Sequence, residues 1–157
     1  MLYYRLITHT PMQLLRHMYK QINSWTCGPA VARIVLHYYF GRRKSVGDIV
    51  RELKITRRGT NDRQLMRVLK KHGIKYRTKT HATVADIKRH LPRYLIVLAY
   101  WIPSHKEGHY SIVRRVDAKR IYFHDTWFGA RHSYTINYFT HHCWRDDEYR
   151  WLLLIPR

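Results

Sequence analysis

The sequence predicts an α+β fold in which N-terminal helices pack on a C-terminal antiparallel β-sheet. Up to Pro92, apolar residues recur at the spacing of helices that bury one face. After Pro92, they form β-rich runs that are joined by short turns. Helices followed by consecutive strands are typical of α+β proteins. The 157 residues fit one domain, 1–157, because a chain of this length buries enough surface to form a core.

Five segments of the first half combine helical spacing with a start or stop signal: Pro11–Lys20, Cys27–Gly41, Ser45–Leu53, Thr60–Gly73 and Thr83–Pro92. Ser45 with Asp48, and Thr83 with Asp86, are spaced as capping boxes, in which each side chain satisfies a backbone N–H of the first turn. Either Thr60 or Asn61 opens the fourth segment. Glycine or proline ends the longer segments, because neither continues a helix well.

Five segments of the second half are predicted strands: Tyr94–Ile102, His109–Arg114, Arg120–His124, Ser133–Ile136 and Trp151–Ile155. Tyr94–Ile102 is a continuous apolar run, which indicates a strand buried on both faces. It is too short for the ~20 residues that a membrane-spanning helix needs. The turn Val116–Lys119 joins the second and third strands as a hairpin.

The chain carries 30 Lys and Arg residues against 10 Asp and Glu residues, a net charge of +20. Such a field attracts nucleic acid, anionic lipid or acidic proteins. The basic residues match no nucleic-acid-binding motif, so a solvated cationic surface is the favoured interpretation and a specific nucleic-acid site is the alternative. They are spread as doublets and triplets along the chain: Arg42–Lys44, Arg57–Arg58, Lys70–Lys71, Lys88–Arg89 and Arg114–Arg115.

The two cysteines, Cys27 and Cys143, exclude a disulfide-dense secreted scaffold, because at most one bridge could form. The N-terminus lacks the basic region and apolar stretch of a signal peptide. We therefore expect a soluble, cytoplasmic domain.

Cys27 lies at the start of a predicted helix, directly after a polar loop. The positive end of the helix dipole and the free backbone N–H groups there stabilise a thiolate, which is the nucleophilic form. Cys143 lies in the segment HHCW and has no comparable setting. The alternative for either cysteine is a small buried apolar side chain.

A cysteine nucleophile needs a base, a group that orients the base, and donors to the oxyanion. His109 begins a predicted strand and Asp125 follows the next one, so the hairpin brings the two residues together. Gln21 precedes Cys27 by six residues, and its amide can fold back over the loop toward an oxyanion. This spacing predicts a Cys-His-Asp site with a glutamine donor.

The segment Gln21–Ala30, with the sequence QINSWTCGPA, resembles the nucleophile motif of the C39 peptidases, a family of papain-like cysteine peptidases that process bacteriocins. The resemblance covers Gln21–Trp144. Further matches follow in the family's order: Gly59-Thr60, Gly73, Gly108–Ser111, Asp125, Phe139 and Trp144. The family commonly has proline after the aspartate, whereas Thr126 stands there in this chain.

The resemblance implies a papain-like fold and a peptidase that cleaves after Gly-Gly through an acyl-enzyme. It assigns Cys27 as nucleophile, His109 as general base, Asp125 as its orienting group and Gln21 as oxyanion donor. The expected partner is a peptide or protein substrate such as a Gly-Gly leader, and family members often form the N-terminal domain of an export transporter. The alternative is a non-hydrolytic binding domain that uses its cationic surface on nucleic acid or an acidic partner.

We expect no metal and no cofactor, although the chain has 12 histidines. Structural zinc normally takes four ligands in two spaced pairs, and the two distant cysteines do not supply that pattern. Three tryptophans, Trp25, Trp101 and Trp127, fall in or beside loops near the predicted site. They either wall a substrate groove or pack in the core.

Overall fold

The computed structural model describes residues 19–41, 44–145 and 149–157. Within these residues, the helices are α1 (Cys27–Phe40), α2 (Val46–Leu53), α3 (Asp62–Lys71), α4 (Val84–His90) and the short α5 (Ile136–Tyr138), which continues as a π-helical turn over Phe139–Cys143. The strands are β1 (Arg77–Lys79), β2 (Tyr94–Ile102), β3 (Glu107–Val116), β4 (Arg120–Asp125), β5 (Gly129–Thr135) and β6 (Leu152–Pro156).

The strands form one antiparallel sheet in the order β1-β6-β2-β3-β4-β5. Hairpins connect β2 to β5 in sequence, whereas β6 returns to pair with the outer edge of β2. The predicted α+β arrangement of helices and antiparallel sheet is confirmed. It is the papain-like architecture that the resemblance implies.

The four predicted helix starts that fall within the described residues are confirmed, although Ser45 and Asp48 form only one half of the predicted capping box. The Ser45 side chain caps α2, and Thr83 and Asp86 form a full capping box at α4. Asn61, and not Thr60, caps α3. In the described part of the chain, no helix is long and apolar enough to cross a membrane.

Three differences from the predicted elements are local. The predicted helix Pro11–Lys20 lies outside the described residues except for Tyr19 and Lys20, which are not helical. Ile136 begins α5, because the Thr135 side chain accepts a hydrogen bond from the N–H of Tyr138 and so caps a helix. The short strand β1, Arg77–Lys79, was not predicted, because its three polar residues carry no apolar pattern.

Both faces of the sheet are covered by apolar side chains, which explains the continuous apolar run in β2. Leu95 and Val97 pack in the layer that contains α1, α2 and α3. Ile96 and Leu98 pack in the opposite layer, with α4 and the π-helical turn. Each fully buried side chain of this size contributes about 1.5–3 kcal/mol. This packing fixes the N-terminus of α1 against the end of the sheet where β3 begins.

Candidate active site

The loop before α1 is organised by Thr26, which leaves the start of the helix uncapped. The Thr26 hydroxyl accepts hydrogen bonds from the backbone N–H groups of Ile22 at 3.2 Å and Asn23 at 3.3 Å. Thr26 therefore does not cap α1 with its side chain, and Cys27 is the first helical residue. The positive end of the helix therefore lies at Cys27.

Gly28 allows a second loop to lie against the start of α1. A Cβ placed on Gly28 would be 2.3 Å from Oγ1 of Thr60 and 2.5 Å from Cβ of Thr60. Any larger residue would collide with this side chain. The Gly59-Thr60 motif therefore packs directly on the helix that begins with Cys27.

His109 and Asp125 form a buried hydrogen-bonded pair. The Nε2 atom of His109 lies 3.0 Å from Oδ2 and 3.1 Å from Oδ1 of Asp125. The His109 residue is 3% exposed and Asp125 is 0% exposed. The β3–β4 hairpin brings the two together, as the sequence predicts. Because Nε2 is engaged with Asp125, Nδ1 is the ring nitrogen available to the Cys27 thiol.

The electrostatics of the pair favour its charged form. Burial disfavours the imidazolium of His109, but hydrogen bonds and charge from Asp125 and then Cys27 raise its pKa from the ordinary 6.5 to about 9. Burial likewise opposes the Asp125 carboxylate, yet the hydrogen bond and charge of His109 hold the pKa of Asp125 well below its usual range. The histidine is therefore protonated at neutral pH and sits between a carboxylate and the thiol.

Asp125 has further partners that sequence reasoning missed. The Tyr100 hydroxyl donates to Oδ2 at 3.0 Å, and the backbone N–H groups of Trp127 and Phe128 donate to Oδ1 at 2.8 and 2.9 Å. Tyr100 stands opposite His109 in the register of β2 and β3. The short turn between these strands was the signal that could have placed Tyr100 beside His109.

Gln21 is held in place by the residue that follows Asp125. Its side-chain Oε1 accepts a hydrogen bond of 2.8 Å from the Thr126 hydroxyl, and its backbone N–H donates to the Thr126 carbonyl oxygen at 2.9 Å. Its Nε2 donates to the carbonyl oxygen of Asn23 at 2.8 Å, which uses one of the two amide hydrogens. Gln21 is buried and does not line the cleft described next.

A cleft of about 350 Å³ opens at the nucleophile loop and contains both Cys27 and His109. Its walls come from the loop before α1, the segment before α3, and the facing ends of β2 and β3. The lining residues are Ser24, Trp25, Cys27, Arg57, Arg58, Gly59, Thr60, Ala99, Glu107, Gly108, His109 and Tyr110.

Of the three tryptophans that the sequence singled out, one walls the cleft and the other two neither wall it nor pack in the core. Trp25 lines the cleft. Trp101 is 40% exposed and Trp127 packs against the ring of His105, and neither lines the cleft. Trp144 of the family-like tail is buried and stacks on a phenylalanine ring in the core.

The second cysteine and its neighbouring histidines form no comparable site. Cys143 is buried in the apolar core, and burial raises the pKa of its thiol to about 12. His141 donates a hydrogen bond to the backbone carbonyl of Asn137. Among the residues that the structure describes, no group of three or more His, Cys, Asp or Glu side chains is placed to hold a metal ion.

The sequence profile of the Peptidase C39 family matches residues 16–144. The sequence has no match among curated proteins. Solved structures with a similar fold include the peptidase domain of Streptococcus ComA, a bi-functional ABC transporter involved in a quorum-sensing pathway. It has 21% identity and a TM-score of 0.68, with 88% of this chain and 97% of that chain covered.

Two further structures share the fold. A double glycine motif protease from an AMS/PCAT transporter, in complex with the leader peptide, has 15% identity and a TM-score of 0.68, covering 89% of this chain and 91% of that one. The peptidase domain of Streptococcus mutans ComA has 17% identity and a TM-score of 0.63, covering 90% and 99%.

Proposed function

Because the chain belongs to the peptidase C39 family, we propose that it is a cysteine peptidase with Cys27 as nucleophile, His109 as general acid and base, and Asp125 as the orienting carboxylate. The observation that carries this proposal is the buried His109–Asp125 pair, whose histidine lines the same cleft as Cys27 at the start of α1. A raised pKa at His109 keeps a proton ready for the leaving group.

Acylation begins when the Cys27 thiolate attacks the carbonyl carbon of the scissile peptide bond. The S–C bond forms and the electron pair of the C=O bond moves to oxygen, giving an oxyanion. When this intermediate collapses, the C–N bond breaks, His109 gives its proton to the leaving amine, and a thioester remains on Cys27.

Deacylation reverses the role of His109, which is now neutral. It takes a proton from a water molecule, and the resulting hydroxide attacks the thioester carbonyl. Collapse releases the carboxylic acid and restores the thiolate–imidazolium pair. The donors that we assign to the oxyanion in both steps are the backbone N–H of Cys27 and, from the family resemblance, the amide of Gln21, whose Nε2 donates to the Asn23 carbonyl oxygen in this structure.

We further assign the substrate as a peptide with Gly-Gly before the scissile bond. One structure of the same fold is a double glycine motif protease bound to the leader peptide. In this chain, Trp25 and Tyr110 line the cleft, and such large rings beside the nucleophile favour residues without side chains. Glycine fits where a Cβ would meet an aromatic wall.

The test is cleavage of a peptide library in which the two residues before the scissile bond are Gly-Gly, Ala-Ala or Gly-Ala, read by mass spectrometry. The wild-type chain should release fragments from Gly-Gly peptides, Cys27→Ala should release none, and the matched control Cys143→Ala should match the wild type. Cleavage by Cys27→Ala at the wild-type rate would overturn the proposal. So would the absence of any cleavage together with tight polyanion binding that Cys27→Ala leaves intact.

A further inference from the structure

Two arginines stand at the tip of a turn that borders the cleft. Thr56 and Gly59 pair as an isolated antiparallel bridge, which places Arg57 and Arg58 at the turn between them. Both side chains are exposed, and both line the cleft that contains Cys27. Both arginines therefore border the space that a bound peptide would occupy.

The turn is fixed in position, so the charges are held beside the nucleophile. The N–H of Gly59 donates to the carbonyl oxygen of Thr56 at 3.0 Å, and the N–H of Arg58 donates to the Thr56 hydroxyl at 3.2 Å. Gly59 has φ of +87°, which glycine adopts without strain. The next residue, Thr60, packs on Gly28, one position from Cys27.

The cleft carries unbalanced positive charge at the turn that contains Arg57 and Arg58. Within the described residues, Arg57 and Arg58 form no ion pair with any carboxylate. Glu107 also lines the cleft, but it belongs to β3 and makes no ion pair with them. Two unpaired guanidinium groups beside a nucleophile select a substrate that supplies the missing negative charge.

We infer that the cleft selects peptides with an Asp or Glu side chain within a few residues of the scissile bond, and that Arg57 and Arg58 bind this carboxylate. The inference rests on the proposed peptidase function and adds a determinant of substrate specificity to it. The planar guanidinium fork matches the two oxygens of a carboxylate. For exposed pairs, this interaction corresponds to about a two- to fivefold preference over an uncharged residue.

The experiment scans a single Glu through the four positions on each side of the scissile bond of a neutral Gly-Gly peptide. Each Glu peptide is compared with its Gln counterpart, and all peptides have blocked ends so that only a side chain supplies the carboxylate. At one or more positions, the wild type should show about two- to fivefold higher kcat/KM for Glu than for Gln, and this preference should weaken between about 50 and 500 mM salt. The ratio of kcat/KM for Glu peptides to that for Gln peptides should fall to about one in Arg57→Gln/Arg58→Gln. In Arg57→Glu/Arg58→Glu, a peptide with Lys at the same position should be cleaved faster than the Glu peptide.

The matched control is Lys88→Glu/Arg114→Glu, which changes the net charge by the same amount as Arg57→Glu/Arg58→Glu. These two residues line a different groove, at the far end of β3. It should keep the wild-type Glu/Gln ratio. Binding of the same peptides to Cys27→Ala, followed by isothermal titration calorimetry, tests the inference even if no peptide is cut. Equal kcat/KM for Glu and Gln at every position, or equal binding of the Glu and Gln peptides to Cys27→Ala, would overturn the inference. If Gln peptides are cleaved in that case, the proposed function stands without it.

Discussion

The Thr126 hydroxyl donates a 2.8 Å hydrogen bond to Oε1 of Gln21, so the residue after Asp125 fixes the side chain that we assign to the oxyanion. Relatives of this family commonly carry proline at this position, which has no donor. In this chain, one short segment thus serves two groups: Asp125 orients His109, and Thr126 orients Gln21. The side chain of Thr126 is a positioning group, because it acts through Gln21.

We expect Thr126→Val to lower kcat about tenfold, because Gln21 loses the partner that fixes its amide. Gln21→Ala should lower kcat by roughly 10²-fold, as loss of one oxyanion donor does. In the Gln21→Ala chain, Thr126→Val should have little further effect, since both changes remove the same function. Thr126→Ser, which keeps the hydroxyl, is the control and should restore most of the rate. Additive losses in the double variant would show that Thr126 does not act through Gln21.

The raised pKa of His109 predicts that activity persists to high pH. The imidazolium should persist until its pKa of about 9, so kcat/KM should hold through neutral pH and fall above that value. Asp125→Asn removes the hydrogen bond and charge that raise this pKa, so the upper limit should move to lower pH and kcat should drop strongly. A pH profile of kcat/KM from pH 5 to 10 measures both. An unmoved upper limit in Asp125→Asn would contradict the assigned role.

The same pKa has a consequence for stability, and its sign follows from linkage. The folded pKa of His109 lies above its ordinary 6.5, so the protonated pair stabilises the fold fully below about pH 6.5. This contribution is lost as the pH rises through about 9. In urea titrations, the wild type should therefore lose more unfolding free energy between pH 7 and 9.5 than His109→Gln does. Equal losses would mean that the pair is not protonated in the folded protein.

The two cysteines should differ sharply in reactivity. Both cysteines are buried, but Cys27 lies at the start of α1 and lines the cleft with His109, whereas Cys143 lies in the apolar core, where burial raises the pKa of its thiol to about 12. At pH 6, iodoacetamide should modify Cys27 at least tenfold faster, as peptide mass spectrometry can follow. His109→Ala should slow the reaction of Cys27 alone. Similar rates for both cysteines would argue against an activated thiolate.

The sequence predicted best what depends on neighbours along the chain. The capping side chains Ser45, Thr83 and Asp86 act within a single helical turn, so their roles could be read from spacing. The His109–Asp125 pair was also predictable, because a short hairpin turn fixes which ends of two strands meet.

What the sequence could not predict depends on contacts between distant segments. The position of β6 between β1 and β2 follows from tertiary packing and leaves no local signal. The contact of Tyr100 with Asp125 requires the register of three strands, and the approach of Arg57 to the cleft requires the packing of Thr60 on α1.

That packing gives the last prediction. Gly28→Ala should destabilise the protein by about 1–3 kcal/mol, because the new Cβ would lie 2.3 Å from Oγ1 and 2.5 Å from Cβ of Thr60. Thr60→Ala should not relieve the clash, since it keeps the Cβ, whereas Thr60→Gly should relieve it in the double variant. The matched control is Gly47→Ala in α2, where the nearest atom is 3.7 Å from the new Cβ and belongs to a flexible arginine, so stability should stay the same or rise. Urea unfolding measures all four chains. If Gly28→Ala is as stable as Gly47→Ala, the loop does not pack against the nucleophile helix as described.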